Sequence, residues 1–154
     1  MINILFVCLG NICRSPMAEF VMRDLVAKED LSHAITVASA ATSNEEHGNP
    51  VYPPVRKLLH SHDIACDGHA ARQLQRQDYE DFDLLIGMET RNLQNMQRIC
   101  GGDPENKMHR LLDFTQRPGD VADPYYTLDY ESTWRDVNEG CQALLAQLRT
   151  QYSL

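Results

Sequence analysis

The chain has 154 residues, of which 43% are hydrophobic and 23% charged, a length and composition that predict one globular domain over residues 1–154. Its formal net charge of -8 at pH 7 argues against nucleic acid or an anionic membrane as the main partner, and no apolar run is long enough for membrane insertion or resembles a signal peptide. The five cysteines are scattered and odd in number, which excludes a secreted disulfide framework and favours free thiols in a reducing cytoplasm.

The first predicted elements are a strand, a tight loop and a helix. Residues 2–8 are almost continuously apolar, as expected of a central parallel strand. In residues 17–25, Ala18, Val21, Met22 and Leu25 recur at helical spacing. A short loop between a strand and a helix N-terminus gathers backbone N–H groups and the positive end of the helix dipole. The sequence therefore predicts an anion site in this loop.

The residue types in this loop suit one chemistry. A helix N-terminus and the guanidinium of Arg14 both favour the thiolate form of Cys8. Arg14 offers a planar fork of donors for two phosphate oxygens. Ser15 can cap the helix and donate a hydrogen bond to the Cys8 sulfur, and Gly10 and Asn11 tolerate left-handed backbone. Together these residues predict an anion cradle with a nucleophilic sulfur at its base.

Two simpler interpretations of the loop remain open. In the first, Cys8 is a small buried hydrophobe, Arg14 is a surface charge and Ser15 is an ordinary helix cap. In the second, Cys8 and Cys13 form half of a zinc site. The zinc site needs two more ligands at suitable spacing, and the sequence has no paired Cys or His motif to supply them.

The rest of the chain alternates strands and helices. Further strands are predicted at residues 34–39, 82–88 and 108–112, and helices after Pro54, after Glu89 and over the C-terminal stretch that carries Trp134, Val137, Cys141, Leu144, Leu145 and Leu148. Such alternation implies parallel strand pairing with helical crossovers. The predicted fold is α/β: three layers, with a four-stranded parallel sheet flanked by helices and the phosphate-binding loop after strand 1.

A second informative stretch is Asp123-Pro124-Tyr125-Tyr126. The proline biases Asp123 towards an extended backbone, which fixes the direction of its carboxylate. By itself, an Asp-Pro pair is also compatible with a plain turn.

Taken together, the stretch from Cys8 to Ser15 resembles the signature loop of the low-molecular-weight protein tyrosine phosphatases, and Asp123 to Tyr126 resembles their general-acid loop. The resemblance covers nearly the whole chain, including Ser39-Ala40 and the segment 67–74 around His69. It implies catalytic roles for Cys8, Arg14 and Asp123. It further implies substrate contacts from Leu9, Gly10, Asn11, Ile12, Cys13, Arg14, Ser15, Glu45, Tyr125 and Tyr126, and supporting roles for Asn11, Ser15, Ser39, His69 and Glu89.

Three positions depart from the family pattern, and two further residues can be interpreted without a role in the site. Ala41 and Thr127 stand where the family usually has glycine, and Glu45 stands where it usually has an aromatic residue. The resemblance implies that His69 hydrogen bonds towards Asn11 and Ser39, whereas the sequence alone favours a solvated loop histidine. Glu89 is either a carboxylate near the phosphate loop or a solvated residue of a first helical turn.

The resemblance implies a phosphatase that hydrolyses phosphotyrosine through a phosphocysteine, with no metal or organic cofactor. Its partners would be phosphotyrosine-containing proteins or peptides, and phosphate and similar oxyanions would bind in its loop. Cys8 and Cys13 flank one tightly curled loop, so a reversible disulfide between them under peroxide is expected, as the resemblance also implies.

Three alternative functions are compatible with the same loop. Phosphoarginine phosphatases share this loop, but they resemble a sequence that has threonine at the position of Ile12 and lacks the paired tyrosines after the proline of the acid loop. Ile12, Tyr125 and Tyr126 therefore favour phosphotyrosine as the substrate. Arsenate reductases of a related fold need further cysteines as a disulfide relay, and the remaining cysteines show no such arrangement: Cys66, Cys100 and Cys141. The third alternative is a phosphate-binding module without turnover.

Overall fold

All four strands of the sheet run parallel to one another. The computed structural model describes residues 1–154, with β1 at Ile2–Cys8, β2 at Ile35–Ala41, β3 at Leu84–Gly87 and β4 at Met108–Arg110. The strand order is β2-β1-β3-β4, with parallel pairing throughout. The predicted four-stranded parallel sheet is confirmed.

Six helices accompany the sheet: α1 at Arg14–Lys28, α2 at Pro53–Ser61, α3 at Asp78–Asp81, α4 at Thr90–Cys100, α5 at Pro124–Thr127 and α6 at Tyr130–Tyr152. Helix α6 buries its predicted apolar face, except that Trp134 is only half-buried and stacks on the ring of His62 at 4.0 Å. None of the helices combines the length and the apolar character that crossing a bilayer requires.

The central strand β1 separates two hydrophobic clusters. Side chains alternate across a strand, so Ile4 and Phe6 face one side while Leu5 and Val7 face the other. The first pair joins a cluster of 29 buried residues that includes the apolar faces of α1, α2 and α6. The second pair joins a cluster of 9 buried residues that includes Met96 of α4. The sheet is therefore the middle layer of three, as predicted.

The topology places the end of β1 at a crevice. After β1 the chain crosses through α1 to β2 on one side, and later strands pair on the other side of β1. In open parallel sheets, ligands bind where connections diverge in this way, outside the carboxyl ends of the strands. Cys8 is the last residue of β1 and lies opposite Ala41 in the register with β2.

The sequence prediction was wrong about the length of β4. The strand ends at Arg110, and Leu111–Phe114 form a 3₁₀ helix. The cause is packing: Leu111 is fully buried and contacts the glycine that α6 carries at position 140. A Cβ atom at Gly140 would overlap the Leu111 side chain, so the glycine lets α6 approach the sheet closely.

Candidate active site

The Cys8 sulfur lies at the centre of the loop that joins β1 to α1. Its Sγ atom accepts hydrogen bonds from the backbone N–H groups of Asn11 at 3.3 Å and Ser15 at 3.4 Å. Asn11 adopts the left-handed backbone conformation, with φ of 60°, whereas Gly10 does not. The curled loop thus directs backbone donors at one sulfur, an arrangement that stabilises a thiolate.

Ser15 completes this set of donors in a way that corrects one prediction. Helix α1 begins at Arg14, so Ser15 lies inside the helix and does not cap it. Its Oγ atom is 2.9 Å from Cys8 Sγ and accepts a hydrogen bond from the Asn11 side-chain amide at 2.8 Å. Because the serine oxygen accepts from this amide, its own proton is left for the Cys8 sulfur or for the Ala40 carbonyl at 3.5 Å, and the sulfur is the nearer of the two acceptors.

A buried carboxylate that the sequence analysis did not identify sets the direction of these bonds. Glu19 is 5% exposed and accepts a hydrogen bond from Ser39 Oγ at 2.5 Å. Ser39 Oγ therefore accepts from the second amide proton of Asn11, at 2.9 Å. Arg23 neutralises Glu19 with an ion pair of 2.6 Å. The one signal in the sequence was an acidic residue within the apolar run of residues 17–22.

His69 supports the loop from its backbone side. Its Nε2 atom lies 2.8 Å from the Asn11 carbonyl oxygen. Because a carbonyl can only accept, Nε2 carries the proton. The expected second hydrogen bond, to Ser39, is not formed, since Ser39 is engaged by Asn11 and Glu19. The His69 ring is half-buried and packs edge-on against Phe20, with ring centroids 6.2 Å apart.

The guanidinium of Arg14 is buried at the floor of the same crevice. Only 1% of the residue is exposed, and Nη1 donates to the Val121 carbonyl at 2.9 Å. Nη2 lies 3.3 Å from the carboxylate of Asp123 and 3.5 Å from that of Glu89. Glu89 is therefore a partner of Arg14, which decides between the two interpretations of this residue. These partners fix the plane of the guanidinium.

Asp123 is the N-cap residue of helix α5, which begins at Pro124, and both of its carboxylate oxygens have partners. Its Oδ1 atom accepts from the Tyr125 backbone N–H at 3.0 Å, while Oδ2 faces Arg14. The preceding residues are anchored too, because Val121 N–H donates to the Met88 carbonyl at 2.8 Å and Thr133 Oγ1 donates to the Ala122 carbonyl at 3.3 Å. The carboxylate consequently has a defined position beside Arg14.

These elements enclose a cleft of about 210 Å³. Ligand pockets for drug-sized molecules are typically larger, about 300–1,000 Å³, so this cleft is suited to a single side chain. Asn11 and Ser15 are not among the lining residues: their side chains bond to each other beneath the loop, while their backbone N–H groups point at the Cys8 sulfur. Ser43 and Glu46, which were not predicted, do line the cleft. The full lining is Cys8, Leu9, Gly10, Ile12, Cys13, Arg14, Ser43, Glu45, Glu46, Asp123, Tyr125 and Tyr126.

Comparisons with known proteins identify this arrangement. Residues 3–154 match the family model for low molecular weight phosphotyrosine protein phosphatases. The chain belongs to this family. The low molecular weight protein-tyrosine-phosphatase YfkJ of Bacillus subtilis is 40% identical over the whole of both chains, and its crystal structure superimposes with a TM-score of 0.95 over 98% of this chain and 96% of that one. 

Other solved phosphatases are also similar. One is SP-PTP, the low molecular weight protein tyrosine phosphatase of Streptococcus pyogenes, at 39% identity and a TM-score of 0.87 over 96% of this chain and 93% of that one. Another is the Drosophila arginine phosphatase DARP, at 28% identity and a TM-score of 0.88 over 95% of this chain and 97% of that one.

The walls of this phosphatase cleft differ in character. Tyr125 and Tyr126 are 51% and 73% exposed and pack against each other with ring centroids 5.4 Å apart. On the facing wall, Glu46 is half-buried and accepts a hydrogen bond from Asn49 at 2.6 Å, while Glu45 is exposed. Neither glutamate forms an ion pair, so the entrance carries two uncompensated negative charges where the family usually has an aromatic wall.

The other departures from the family pattern lie at the edges of the site. Ala41 is buried at the end of β2, where its N–H donates to the Arg72 carbonyl at 2.7 Å. Thr127 is the last residue of α5, and its N–H donates to the Asp123 carbonyl at 3.1 Å. Both positions therefore have ordinary hydrogen-bonded backbone.

Cys13 lines the cleft but differs chemically from Cys8. Burial, followed by the negative charges of Cys8 and Asp123, raises the pKa of the Cys13 thiol to about 12, so it is protonated at neutral pH. The remaining cysteines, Cys66, Cys100 and Cys141, are buried in the hydrophobic clusters and are free thiols. Burial raises the pKa of each of these three thiols as well.

Proposed function

We propose that this chain hydrolyses the phosphate ester of phosphotyrosine through a covalent phosphocysteine at Cys8. The observation that carries this proposal is the convergence of three donors on Cys8 Sγ in a cleft that Arg14 and Asp123 also line. In the first step, Cys8 Sγ attacks phosphorus and the bond from phosphorus to the tyrosine oxygen breaks. Asp123 gives its proton to the departing phenolate oxygen.

In the second step, water attacks the phosphorus of the phosphocysteine. Asp123 accepts a proton from this water, the sulfur–phosphorus bond breaks, and phosphate leaves the Cys8 thiolate. Arg14 and loop N–H groups hold the non-bridging oxygens and stabilise the charge that develops in each transition state. Every proton and electron pair in the two steps comes from Cys8, Asp123, substrate or water, so the cycle requires no cofactor.

The cleft walls favour an aryl phosphate over phosphoarginine. Tyr125 and Tyr126 offer exposed aromatic faces to a phenyl ring. Ile12 presents only hydrocarbon to the cleft and cannot hydrogen bond to the N–H groups of a phosphorylated guanidine. The resemblance to an arginine phosphatase keeps phosphoarginine as the second candidate substrate.

A direct comparison of two phosphopeptides tests this assignment. We expect kcat/KM to be at least about tenfold higher for a phosphotyrosine peptide than for the same peptide with phosphoarginine, because Tyr125 and Tyr126 offer aromatic faces on which a phenyl ring can stack. Phosphate release measured on both peptides decides the question. A preference for phosphoarginine would reverse the assignment, and turnover of neither peptide would leave a phosphate-binding module.

We infer that the site is also protected against oxidation. Peroxide would convert the Cys8 thiolate to a sulfenic acid, and the Cys13 thiol would then displace water from it to form a disulfide. The conversion of Cys8 to a neutral sulfenic acid removes one of the charges that raise the pKa of Cys13, so the second thiol becomes easier to ionise. Both sulfurs line the same cleft, which supports their pairing.

Substituting Cys13 with alanine is expected to make peroxide damage irreversible. Without a partner thiol, the sulfenic acid at Cys8 proceeds to sulfinic or sulfonic acid, which dithiothreitol does not reduce. The measurement is activity after peroxide and then dithiothreitol, each protein normalised to its own untreated sample. Cys66→Ala, which removes a buried thiol outside the cleft, should recover like wild type. Equal recovery by Cys13→Ala would leave Cys13 as a packing residue.

We make two further inferences, one about the extent of the domain and one about the cellular compartment. One phosphatase domain spans residues 1–154, since the family match extends from residue 3 to residue 154. The site of action is the cytoplasm, a reducing compartment that suits a protein whose five cysteines are all free.

A further inference from the structure

One residue to which the resemblance assigned no role contacts both catalytic loops. Tyr52 immediately precedes helix α2, and its backbone N–H donates to the carbonyl of Ile12, in the phosphate loop, at 2.9 Å. Its ring packs against the ring of Tyr125, with centroids 5.6 Å apart and planes tilted by 58°. Tyr125 in turn donates its backbone N–H to Asp123 Oδ1 at 3.0 Å. Tyr52 therefore connects the loop of the nucleophile to the carboxylate of the general acid.

The contact matters because α5 has little other support on this side. The helix is only four residues long, and Tyr125, Tyr126 and Thr127 are exposed. Its N-terminal end is anchored through Asp123 and Val121, but the Tyr125 ring has only Tyr52 and the exposed Tyr126 as aromatic neighbours. Tyr52 is half-buried, and its contact with Tyr125 is made through the ring.

We propose that Tyr52 is a positioning residue that holds Asp123 in reach of the leaving oxygen by packing on Tyr125. This inference rests on the proposed function, in which Asp123 protonates the leaving group. If a residue acts only through Asp123, its loss lowers the rate of hydrolysis most for substrates whose leaving oxygen most needs a proton from Asp123. Loss of the Tyr52 ring therefore slows the release of a strongly basic phenolate more than the release of a weakly basic one.

The test compares Tyr52→Ala and Tyr52→Phe on aryl phosphates of graded leaving-group basicity, from nitrophenyl phosphates to phosphotyrosine. For Tyr52→Ala we expect kcat/KM to fall about 10- to 100-fold on phosphotyrosine and by only about twofold on the most activated phosphate, since small misplacements of a catalytic group cost rates of this order. Tyr52→Phe keeps the ring and should match wild type across the series.

The double variant Tyr52→Ala with Asp123→Asn separates positioning from general damage to the fold. If Tyr52 acts through Asp123, removing its ring should cost less than about threefold once the acid is gone, because the two effects are not additive. A uniform loss over all substrates, additivity with Asp123→Asn, or a loss in Tyr52→Phe equal to that in Tyr52→Ala would each overturn the proposal. If Asp123→Asn itself shows no dependence on the leaving group, the role of Asp123 as proton donor in the proposed function fails instead.

Discussion

Replacing Cys8 with serine is expected to abolish turnover and to leave phosphate binding intact. The serine hydroxyl preserves the shape of the loop and the positions of its donors. It has no accessible anion near neutral pH, so the attack on phosphorus is lost. Loss of the nucleophile from an enzyme that works through a covalent intermediate can lower kcat on the order of 10⁶-fold.

Two measurements check this expectation. Steady-state release of p-nitrophenol reports turnover, and the rise in Tm on adding inorganic phosphate reports binding, because a ligand that binds only the native state stabilises it. Cys66→Ser makes the same chemical change in the hydrophobic core, outside the cleft, and should keep measurable turnover. Retention of more than a few per cent of wild-type activity by Cys8→Ser would remove Cys8 from the role of nucleophile.

The loop that carries Cys8 and Arg14 could be predicted from sequence because the residue order there restricts the local geometry. A cysteine at the end of a buried strand, followed by a tight loop, an arginine and a helix, can place its side chain in few ways. For Asp123 the prediction came from the family resemblance, because an Asp-Pro pair by itself is also compatible with a plain turn. Cys8, Arg14 and Asp123 accordingly line one cleft, although 109 residues separate the last two.

The residues that were missed depend on contacts between distant elements. Glu19 looks like one more helical residue until the fold brings Ser39 of β2 against it. Tyr52 and Glu46 come from the long loop after β2, whose path is set by bonds to Ile12 and Ala71 rather than by its own sequence. The hydrophobic pattern and the secondary-structure propensities of a sequence carry no information about such distant partners. Supporting residues are therefore harder to predict than nucleophiles.

The errors in element boundaries have the same origin. Leu111 and Leu112 suit a strand by composition. Because α6 approaches closely at Gly140, a 3₁₀ helix that buries both leucines is favoured instead. Ser15 suits a helix cap, but the Cys8 sulfur and the Asn11 amide are better partners for its hydroxyl. In both places a tertiary contact overrides the local preference.

The second large effect is expected from Asp123→Asn. Asparagine keeps the shape of the side chain and can still cap α5, but it has no proton to give to a leaving oxygen. General acid catalysis contributes roughly 100- to 10,000-fold, so kcat/KM on phosphotyrosine should fall by that order. The loss should shrink steadily as the leaving phenolate becomes a weaker base.

The same substitution also slows the second step, in which Asp123 acts as a base. With an activated aryl phosphate the first step stays fast, so rapid mixing should show a burst of about one phenol per enzyme and then slow turnover. Asp120→Asn is the matched control: it makes the same change in charge three residues away, on an exposed carboxylate that pairs with Arg110 at 3.1 Å and does not line the cleft. A loss that is uniform across leaving groups, without a burst, would mean that Asp123 orients Arg14 and does not transfer the proton.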